Sequence, residues 1–538
     1  MKKTLRFLSM AALVLMGAIM TGCTSSELEN VQPVNTGKKV ILTTTVSLAD
    51  ATKALTIDDV NHLGVKTFAA GETMAVIYKN TSGTTLKAVS KALQDNGDIT
   101  NSGKSAVFTF ELNDPDRTKD VTYIYPAAMA KADGTPNYDD LYTKQDGTLA
   151  KLASTFDYCT ESGAWNAGNL PTLTLLNQLA ICAFTLKDAL GADDKTRNIT
   201  NLTVTAGTNT YTVTRTAADG PIYVAIRPTS SATINYFATD GTTSYAKYVE
   251  NKTYTAGNGY NISLKMAEVI KGKFTVNSSG KKVYFSKGNL QATTSNKGGT
   301  WTWHFAPNQY ARVGNGTANT KINGNGTVES DGNDKNIDLF GWSTSTTHLG
   351  INNSIVNNDY RKGSITDGSD FVDWGSATEV TDCIGTGWST LTSDEWRHLM
   401  STRAGNRFAL AQINGSRGGI ILLPDDWKTS YYTLNNINNA SVSFSVNDIT
   451  SSNWTSKLEA HGAVFLPVTG QRNSGTTING ADEQLHYWSS SGGVNSSSVP
   501  IGFHMRFMPP GDPNAGLAPD AGAGRCNGFS VRLIYPVK

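Results

Sequence analysis

Leu202-Thr203-Val204-Thr205-Ala206 and Tyr211-Thr212-Val213-Thr214-Arg215 are two runs of alternating apolar and polar side chains, joined by Gly207-Thr208-Asn209-Thr210. Apolar residues at every second place line one face of a strand, and a Gly/Asn cluster between two such runs is turn chemistry. The same style extends in both directions. Upstream lie Val40 to Val46, Met74 to Tyr78, Ala106 to Leu112, Val121 to Tyr125 and Leu173 to Leu186. Downstream come Ile222 to Arg227, Ile234 to Phe237 and the closing stretch Thr253 to Leu264. Strands at this spacing without strong helical periodicity predict β-sandwiches. The length predicts two, over 38–150 and 151–268, divided in the loop-rich stretch from Asp133 to Leu170.

The N-terminus predicts export. Lys2, Lys3 and Arg6 precede an apolar run from Phe7 to Met20, and Thr21-Gly22-Cys23 follows. This is the layout of a cleavable secretory signal, too short and wrongly flanked for a spanning helix. The small pair before the cysteine resembles the lipobox of bacterial lipoproteins, with Met20 where that family usually carries leucine. The resemblance implies a signal over 1–23, an acylated (palmitate-type) Cys23 as the mature terminus, and an outer-membrane lipoprotein precursor. The alternative is an ordinary signal peptide that contains a cysteine. Residues 24–37 read as a tether, with Glu27 and Glu29 similar to the acidic signal that sends some lipoproteins to the outer surface. No later stretch reaches the ~18–20 apolar residues of a membrane helix, so the acyl chains would be the only anchor.

Charged residues make up 17% of the 538 residues, against about 25% in an average soluble protein. The formal net charge of +1 leaves no electrostatic reason to expect nucleic acid as a partner. Beyond Cys23, the cysteines Cys159, Cys182, Cys383 and Cys526 are scattered, with no CxxC spacing, so a zinc site is not expected. In an oxidising compartment Cys159 and Cys182 are the expected disulfide, since both fall in one predicted domain; burial as free thiols is the alternative.

Several stretches of the N-terminal half resemble fimbrillins, the pilus subunits of some Gram-negative bacteria. They are Ala51-Thr52-Lys53-Ala54-Leu55, the Ala70-Gly71-Glu72 turn before Met74 to Tyr78, and Tyr123-Ile124-Tyr125-Pro126. Asn177-Gln178-Leu179-Ala180 and the segment Tyr254 to Leu264 resemble the second domain of that family. The resemblance implies two transthyretin-like sandwiches and assembly by strand donation. A protease would cut between Lys53 and Ala54, releasing the lipid and the strand Val40 to Leu48, and a neighbouring subunit's strand would fill the groove by β-augmentation. The alternative is that Lys53 is an exposed lysine in a loop.

Val269 to Lys273 reads as a linker, after which Trp, Asn and Gly rise. In Leu391-Thr392-Ser393-Asp394-Glu395-Trp396, Thr392 and Glu395 form a capping box, Leu391 can staple onto Trp396, and Trp396, Leu399 and Met400 make an apolar stripe. A second helix is predicted from Trp454 to His461, stopped by Gly462. Strands Gly419 to Leu423 and Ala463 to Pro467 follow the two helices, and Gly528 to Tyr535 is the last strand. Val283 to Leu290, Asp338-Leu339-Phe340-Gly341-Trp342, Asp373-Trp374-Gly375, Leu422 to Trp427 and Tyr487 to Ser491 resemble bacterial surface proteins with an α+β C-type lectin-like domain. The resemblance covers 273–538. It implies a ligand surface in the region before the final strand, here Ser489 to Asn527, as in the variable proteins of diversity-generating retroelements. Relatives tend to carry asparagine near Cys526, which argues against a Cys383–Cys526 bond.

That region holds Pro500, Pro509, Pro510, Pro513 and Pro519, which predicts irregular structure. The candidate ligand-binding residues are His486, Trp488, Asn495, His504, Arg506, Met508, Asp512, Asn514, Asp520 and Arg525. Aromatic and Arg side chains carry binding energy at interfaces and stack on sugars. The alternative for Phe503 and Phe507 is a strand within the domain. No Gly-x-Ser-x-Gly elbow, Walker loop or His-Glu-x-x-His motif occurs, so no catalytic residues, metal or cofactor are expected. Asp331-Gly332-Asn333-Asp334-Lys335 lacks the fifth-position oxygen and sixth-position glycine of a calcium loop, and Asp425 and Asp426 read as turn formers.

The expectation is thus a mainly β protein of two sandwiches and an α+β domain, acting as a fimbrial tip adhesin. Only Pro536, Val537 and Lys538 follow the last strand, which suits a subunit that accepts a strand and donates none. Its partners would be a neighbouring pilin, a host or bacterial surface glycan or protein, and the outer membrane through the precursor's lipid. Two alternatives stand beside it: a lipid-anchored binding protein that never joins a pilus, and an enzyme on a formylglycine-generating-type scaffold that would use Cys383 or Cys526.

Overall fold

The structure, a computed structural model, describes residues 38–49, 67–95, 97–294, 300–313, 335–344, 346, 349–351, 369–473 and 477–538. Cys23, Lys53, Ala54 and the turn at 331–334 lie outside these residues. Among the described residues, no helix is long and apolar enough to cross a membrane.

The first unit is one sheet of eight strands. These are β1 (Lys39–Leu48), β2 (Ala75–Lys79), β3 (Thr85–Val89), β4 (Ile99–Thr100), β5 (Ser105–Asn113), β6 (Val121–Tyr125), β7 (Cys159–Gly163) and β8 (Leu173–Asn177). Their spatial order is β3-β2-β6-β7-β8-β1-β5-β4. Alternation places Thr44, Val46 and Leu48 of β1 inside, together with Ala106, Phe108, Phe110 and Leu112 of β5. The sheet folds back on itself, so that Phe110 on one arm stacks on Tyr123 of the other at 6.2 Å. Both arms share one core with Phe68, Val76 and Cys159.

The second unit is a sandwich. Its strands are β9 (Ala180–Lys187), β10 (Asn201–Ala206), β11 (Asn209–Thr214), β12 (Ile222–Ile226), β13 (Thr229–Thr239), β14 (Ser244–Tyr254), β15 (Gly259–Lys265) and β16 (Ala267–Val269). Sheet β11-β10-β13-β14-β16 faces sheet β12-β9-β15, and Phe184 meets Tyr236 between them at 5.4 Å. The alternating runs 202–206 and 211–215 form the β10–β11 hairpin, in register from Asn201↔Thr214 to Ala206↔Asn209.

The expected boundary at residue 150 is corrected. The helical stretch from α1 (Tyr138–Thr143) through α2 (Leu149–Lys151) to Phe156 sends Leu141, Leu152 and Phe156 into the second core. Gln145 is buried there, donating to Ala225 O at 3.0 Å and accepting from Ala225 N at 2.8 Å. The chain then returns to the first sheet for β7 and β8 before entering β9. Local strand patterns carry no information about which sheet a strand joins. For the same reason the expected Cys159–Cys182 bond is corrected: Cys159 lies in the first core and Cys182 in the second, and both are buried thiols outside any disulfide.

The C-terminal unit is α+β. It begins with β17 (Phe274–Thr275), β18 (Lys282–Phe285), β19 (Leu290–Thr294), β20 (Thr302–Phe305) and β21 (Lys335–Ile337), then α3 (Thr378–Ile384), β22 (Ser389–Thr390) and α4 (Ser393–Arg397). It continues through β23 (Phe408–Ile413), β24 (Arg417–Leu422), β25 (Asp448–Ile449), α5 (Ser451–Asn453), β26 (Val464–Pro467), β27 (Gln471–Asn473) and β28 (Thr477–Asn479). The closing strands are β29 (Leu485–Val494), β30 (Pro500–Met508), β31 (Gly516–Gly524) and β32 (Leu533–Val537).

The capping box forms as its residues dictate: Thr392 Oγ1 accepts from Glu395 N at 3.1 Å, and Glu395 Oε2 accepts from Thr392 N at 2.9 Å. The second predicted helix continues from α5 as tighter and wider turns through His461, and Gly462 ends it with φ 86°. The linker is a packed joint. Ile270 N donates to Phe285 O at 2.9 Å, and a Cβ on Gly272 would lie 2.1 Å from Gly462 O. Phe237 of the second sandwich stacks on Tyr284 at 5.4 Å, and Ala246, Ala267 and Val269 join the core built on Trp303, Trp342 and Trp374.

Candidate functional site

Two regions follow from the sequence expectations: the first strand and the C-terminal sheet. Strand β1 is an inner strand. It pairs antiparallel with β5 in nine positions from Lys39↔Asn113 to Ser47↔Ser105, and parallel with β8 from Val46↔Leu173 to Leu48↔Leu175. Val46 and Leu48 reach the core, and Thr44 Oγ1 donates to Pro171 O at 2.7 Å.

The region Ser489 to Asn527 is not irregular, which corrects the expectation drawn from its prolines. It contributes most of a three-stranded antiparallel sheet, β29-β30-β31. Each proline sits where a missing N–H costs nothing. Pro500 opens β30, Pro509 and Pro510 follow its end, and Pro513 lies in the turn before β31. Pro519 lies on the edge strand β31, inside the register shift opposite His504 and Arg506. Phe503 and Phe507 both lie on β30; Phe507 is buried, and Phe503 is half-buried.

The structure does not assemble the ten candidates into one ligand surface. His486, Trp488, His504, Met508 and Arg525 are buried. Arg525 lies over the Trp342 ring at 4.2 Å and donates to Asp370 Oδ2 at 2.6 Å. Asn495 is exposed, but its side chain accepts from Ser497 N and Val499 N, both at 2.9 Å, and so builds the β29–β30 turn. Asp512 accepts from Asn514 N at 2.7 Å in the following turn, and Asp520 pairs with Arg397 at 2.6 Å. Arg506 is half-buried. These polar residues occupy turns and ion pairs, because strand pairing turned their neighbours inward.

His486 and His504 lie 5.3 Å apart, and both rings pack on Phe529, at 4.7 and 4.4 Å. Neither ring nitrogen of His486 has a hydrogen-bond partner among the described residues. Burial, then the Arg506 charge, pushes His486 down to about 3. Burial, with His486 and Arg506, holds His504 well below the usual histidine range. Both rings are therefore neutral packing groups, with no geometry for acid–base work.

Among the described residues no group of three or more His, Cys, Asp and Glu side chains is placed to hold a metal. Asp425 is a structural anion: it accepts from Arg403 Nη1 at 2.9 Å and from Thr275 N and Oγ1 at 2.9 and 2.7 Å. The sequence reading missed a cleft of about 330 Å³ between the second sandwich and the C-terminal unit. Its walls come from the stretches 188–195, 245–268, 287–305 and 383–388, which no local pattern connects.

No family model matches the chain, and no curated protein matches it. Solved structures similar to it include a fimbrial assembly protein from Parabacteroides distasonis, 11% identical, covering 46% of this chain and 96% of that one at a TM-score of 0.26. A cell adhesion protein from Bacteroides fragilis is 12% identical, covering 50% and 99% at a TM-score of 0.25. The tip fimbrial protein Mfa3 from Porphyromonas gingivalis is 9% identical, covering 42% and 95% at a TM-score of 0.21. Scores this low carry no argument about shared architecture or activity, so the functional reading stands on the chain's own geometry.

Proposed function

We propose that this chain is a fimbrial subunit of the tip-adhesin kind, exported as a lipoprotein precursor acylated on Cys23 and assembled by strand donation after cleavage between Lys53 and Ala54. The supporting observation is the placement of β1. It is the first strand of the described chain, it lies between β8 and β5, and the segment that follows it contains Lys53. Removing an inner strand unpairs the backbone of both its neighbours and uncovers the sites of Val46 and Leu48, each worth ~1.5–3 kcal/mol of burial. Such a groove has one structural complement, an added strand of matching alternation, supplied by the next subunit.

β32 is paired on both sides, with Tyr284↔Tyr535 toward β18 and Ser389↔Ile534 toward β22, so it is not a free donor. The C-terminal unit would then carry recognition of a surface glycan or protein. The test is the N-terminus of the protein recovered from sheared cell-surface filaments. A start at Ala54 supports the proposal. A start at Cys23 with no protein in the filament fraction overturns it, in favour of a lipid-anchored binding protein outside any pilus.

A further inference from the structure

The cleft between the second sandwich and the C-terminal unit is built as a groove with two chambers. The first chamber, about 330 Å³, has apolar surface from Leu190, Phe305 and Trp388 beside His304 and the charged side chains of Asp188, Lys195, Glu268 and Lys287. Leu190 is 46% exposed at the lip. Phe305 meets Trp388 edge-on at 4.9 Å, which fixes its ring in the wall. The second chamber, about 520 Å³, shares Glu268 and Lys287 with the first and continues along Thr242, Thr243, Ser244, Asn308 and Thr455. The amide oxygen of Asn308 is buried there with no partner among the described residues. Glu268 and Lys287 form an ion pair at 3.0 Å at the junction of the chambers.

Charge decides the ligand class. The lining of the first chamber includes Asp188 and Glu268 with Lys195 and Lys287, and that of the second Glu268 and Glu459 with Lys271 and Lys287. Asp188 also caps its own turn at Gly191 and Ala192, Lys195 pairs with Asp193, and Glu459 accepts from Gln309. A balanced lining offers a charged ligand no net attraction. The half-exposed Glu268–Lys287 pair and the Asn308 amide oxygen supply acceptors and a donor to a ligand dense in hydroxyl groups, and the apolar patch around Phe305 and Leu190 suits the C–H face of a sugar ring. Burial first, and then the carboxylates of Glu268, Asp240 and Asp188, push the Tyr245 phenol up to about 12, so it stays a protonated donor in the wall. The walls do not depend on one mobile loop, because the joint at Gly272 and the Phe237–Tyr284 stack hold the two units together.

We propose that this interdomain groove, and not the turns of the C-terminal sheet, is the recognition site, and that it takes a short neutral oligosaccharide lying across the Glu268–Lys287 pair. This deepens the adhesin reading above and rests on it for the presence of a surface ligand. The experiment presents the full chain to a panel of neutral oligosaccharides and measures affinity by calorimetry. In parallel, alkylation of Cys383, a half-buried thiol in the groove wall, is quantified by peptide mass spectrometry with and without sugar. The Glu268–Lys287 pair is 40% and 38% exposed, so Glu268→Gln and Lys287→Ala leave the fold intact.

Expected are binding of at least one neutral oligosaccharide, slower alkylation of Cys383 in its presence, and roughly tenfold weaker binding by each variant. Asn495→Ala and Asp512→Ala, in the turns of the C-terminal sheet, should bind as the parent does. Binding that leaves Cys383 reactivity unchanged and is insensitive to the Glu268 and Lys287 substitutions overturns the proposal, as does the absence of binding to every neutral sugar. Filament recovery is read separately: filaments formed without sugar binding overturn this site alone, whereas sugar binding without filaments overturns the pilus reading alone.

Discussion

Acidification should destabilise the C-terminal unit through His486 and His504. Both are almost fully buried, at 2% and 3% exposure, with both rings on Phe529 and His504 also against Trp488. His486 has an ordinary value of 6.5 that burial and the Arg506 charge lower to about 3 in the fold. A histidine with a depressed folded value binds its proton more tightly when unfolded. Its stabilising contribution is therefore complete above pH ~6.5 and is lost as pH falls toward about 3. Between pH 7.5 and 4.5 the loss from His486 alone is about 2–3 kcal/mol, at ~1.36 kcal/mol per pH unit below the unfolded value. His504 is shifted in the same direction and adds to it. Most carboxylates titrate below this window, and Asp373 and Glu459, which burial raises, act in the opposite direction, so the histidine share is read from the His486 variant.

The assay is urea unfolding followed by tryptophan fluorescence, at pH 7.5 and 4.5. Nine of the ten tryptophans, all but Trp165, follow residue 273, so the signal reports the C-terminal unit. The parent protein should lose about 2–3 kcal/mol or more on acidification, and His486→Phe should lose less by about that amount. An equal acid-induced loss in parent and variant would refute the reasoning, since the proton would then be taken up elsewhere.

Thr392→Ala removes the cap before Trp396 and should cost about 1 kcal/mol in the same unfolding assay, because Glu395 N then lacks its partner. Gly272→Ala places a methyl 2.1 Å from Gly462 O; it should destabilise the joint by about 1–3 kcal/mol and speed proteolysis at Lys271 and Lys273. Arg525→Ala strands Asp370 in a buried site and should cost ~3–5 kcal/mol, whereas Arg525→Met combined with Asp370→Leu should come close to neutral.

The candidate site was legible only in its separate residues. Asn495, Asp512 and Asp520 look like exposed polar groups in the sequence; Asn495 is exposed and the two aspartates are half-buried, and hydrogen bonds within the turns and an ion pair to Arg397 occupy them. His486, Trp488 and His504 carry the residue types of a binding loop. Pairing of β29 with β30, through His486↔Arg506 and Trp488↔His504, turned them into core. The prolines misled because their effect depends on strand position, and position along an edge is a property of the sheet.

What the sequence by itself determined is what short-range chemistry determines. Alternation set the β10–β11 hairpin, Thr392 and Glu395 set the start of α4, and Gly462, at φ 86°, set the end of the second helical stretch. Each of these rests on residues a few positions apart, whose geometry is nearly the same in any fold. Only the tertiary structure decided that 138–156 completes the second core while β7 and β8 return to the first sheet, that Cys159 and Cys182 belong to different cores, and that a groove opens where stretches 188–195 and 287–305 meet. These depend on which apolar faces find one another across a hundred residues or more, and burial is non-directional, so a strand's own pattern says that it must be covered but not by what.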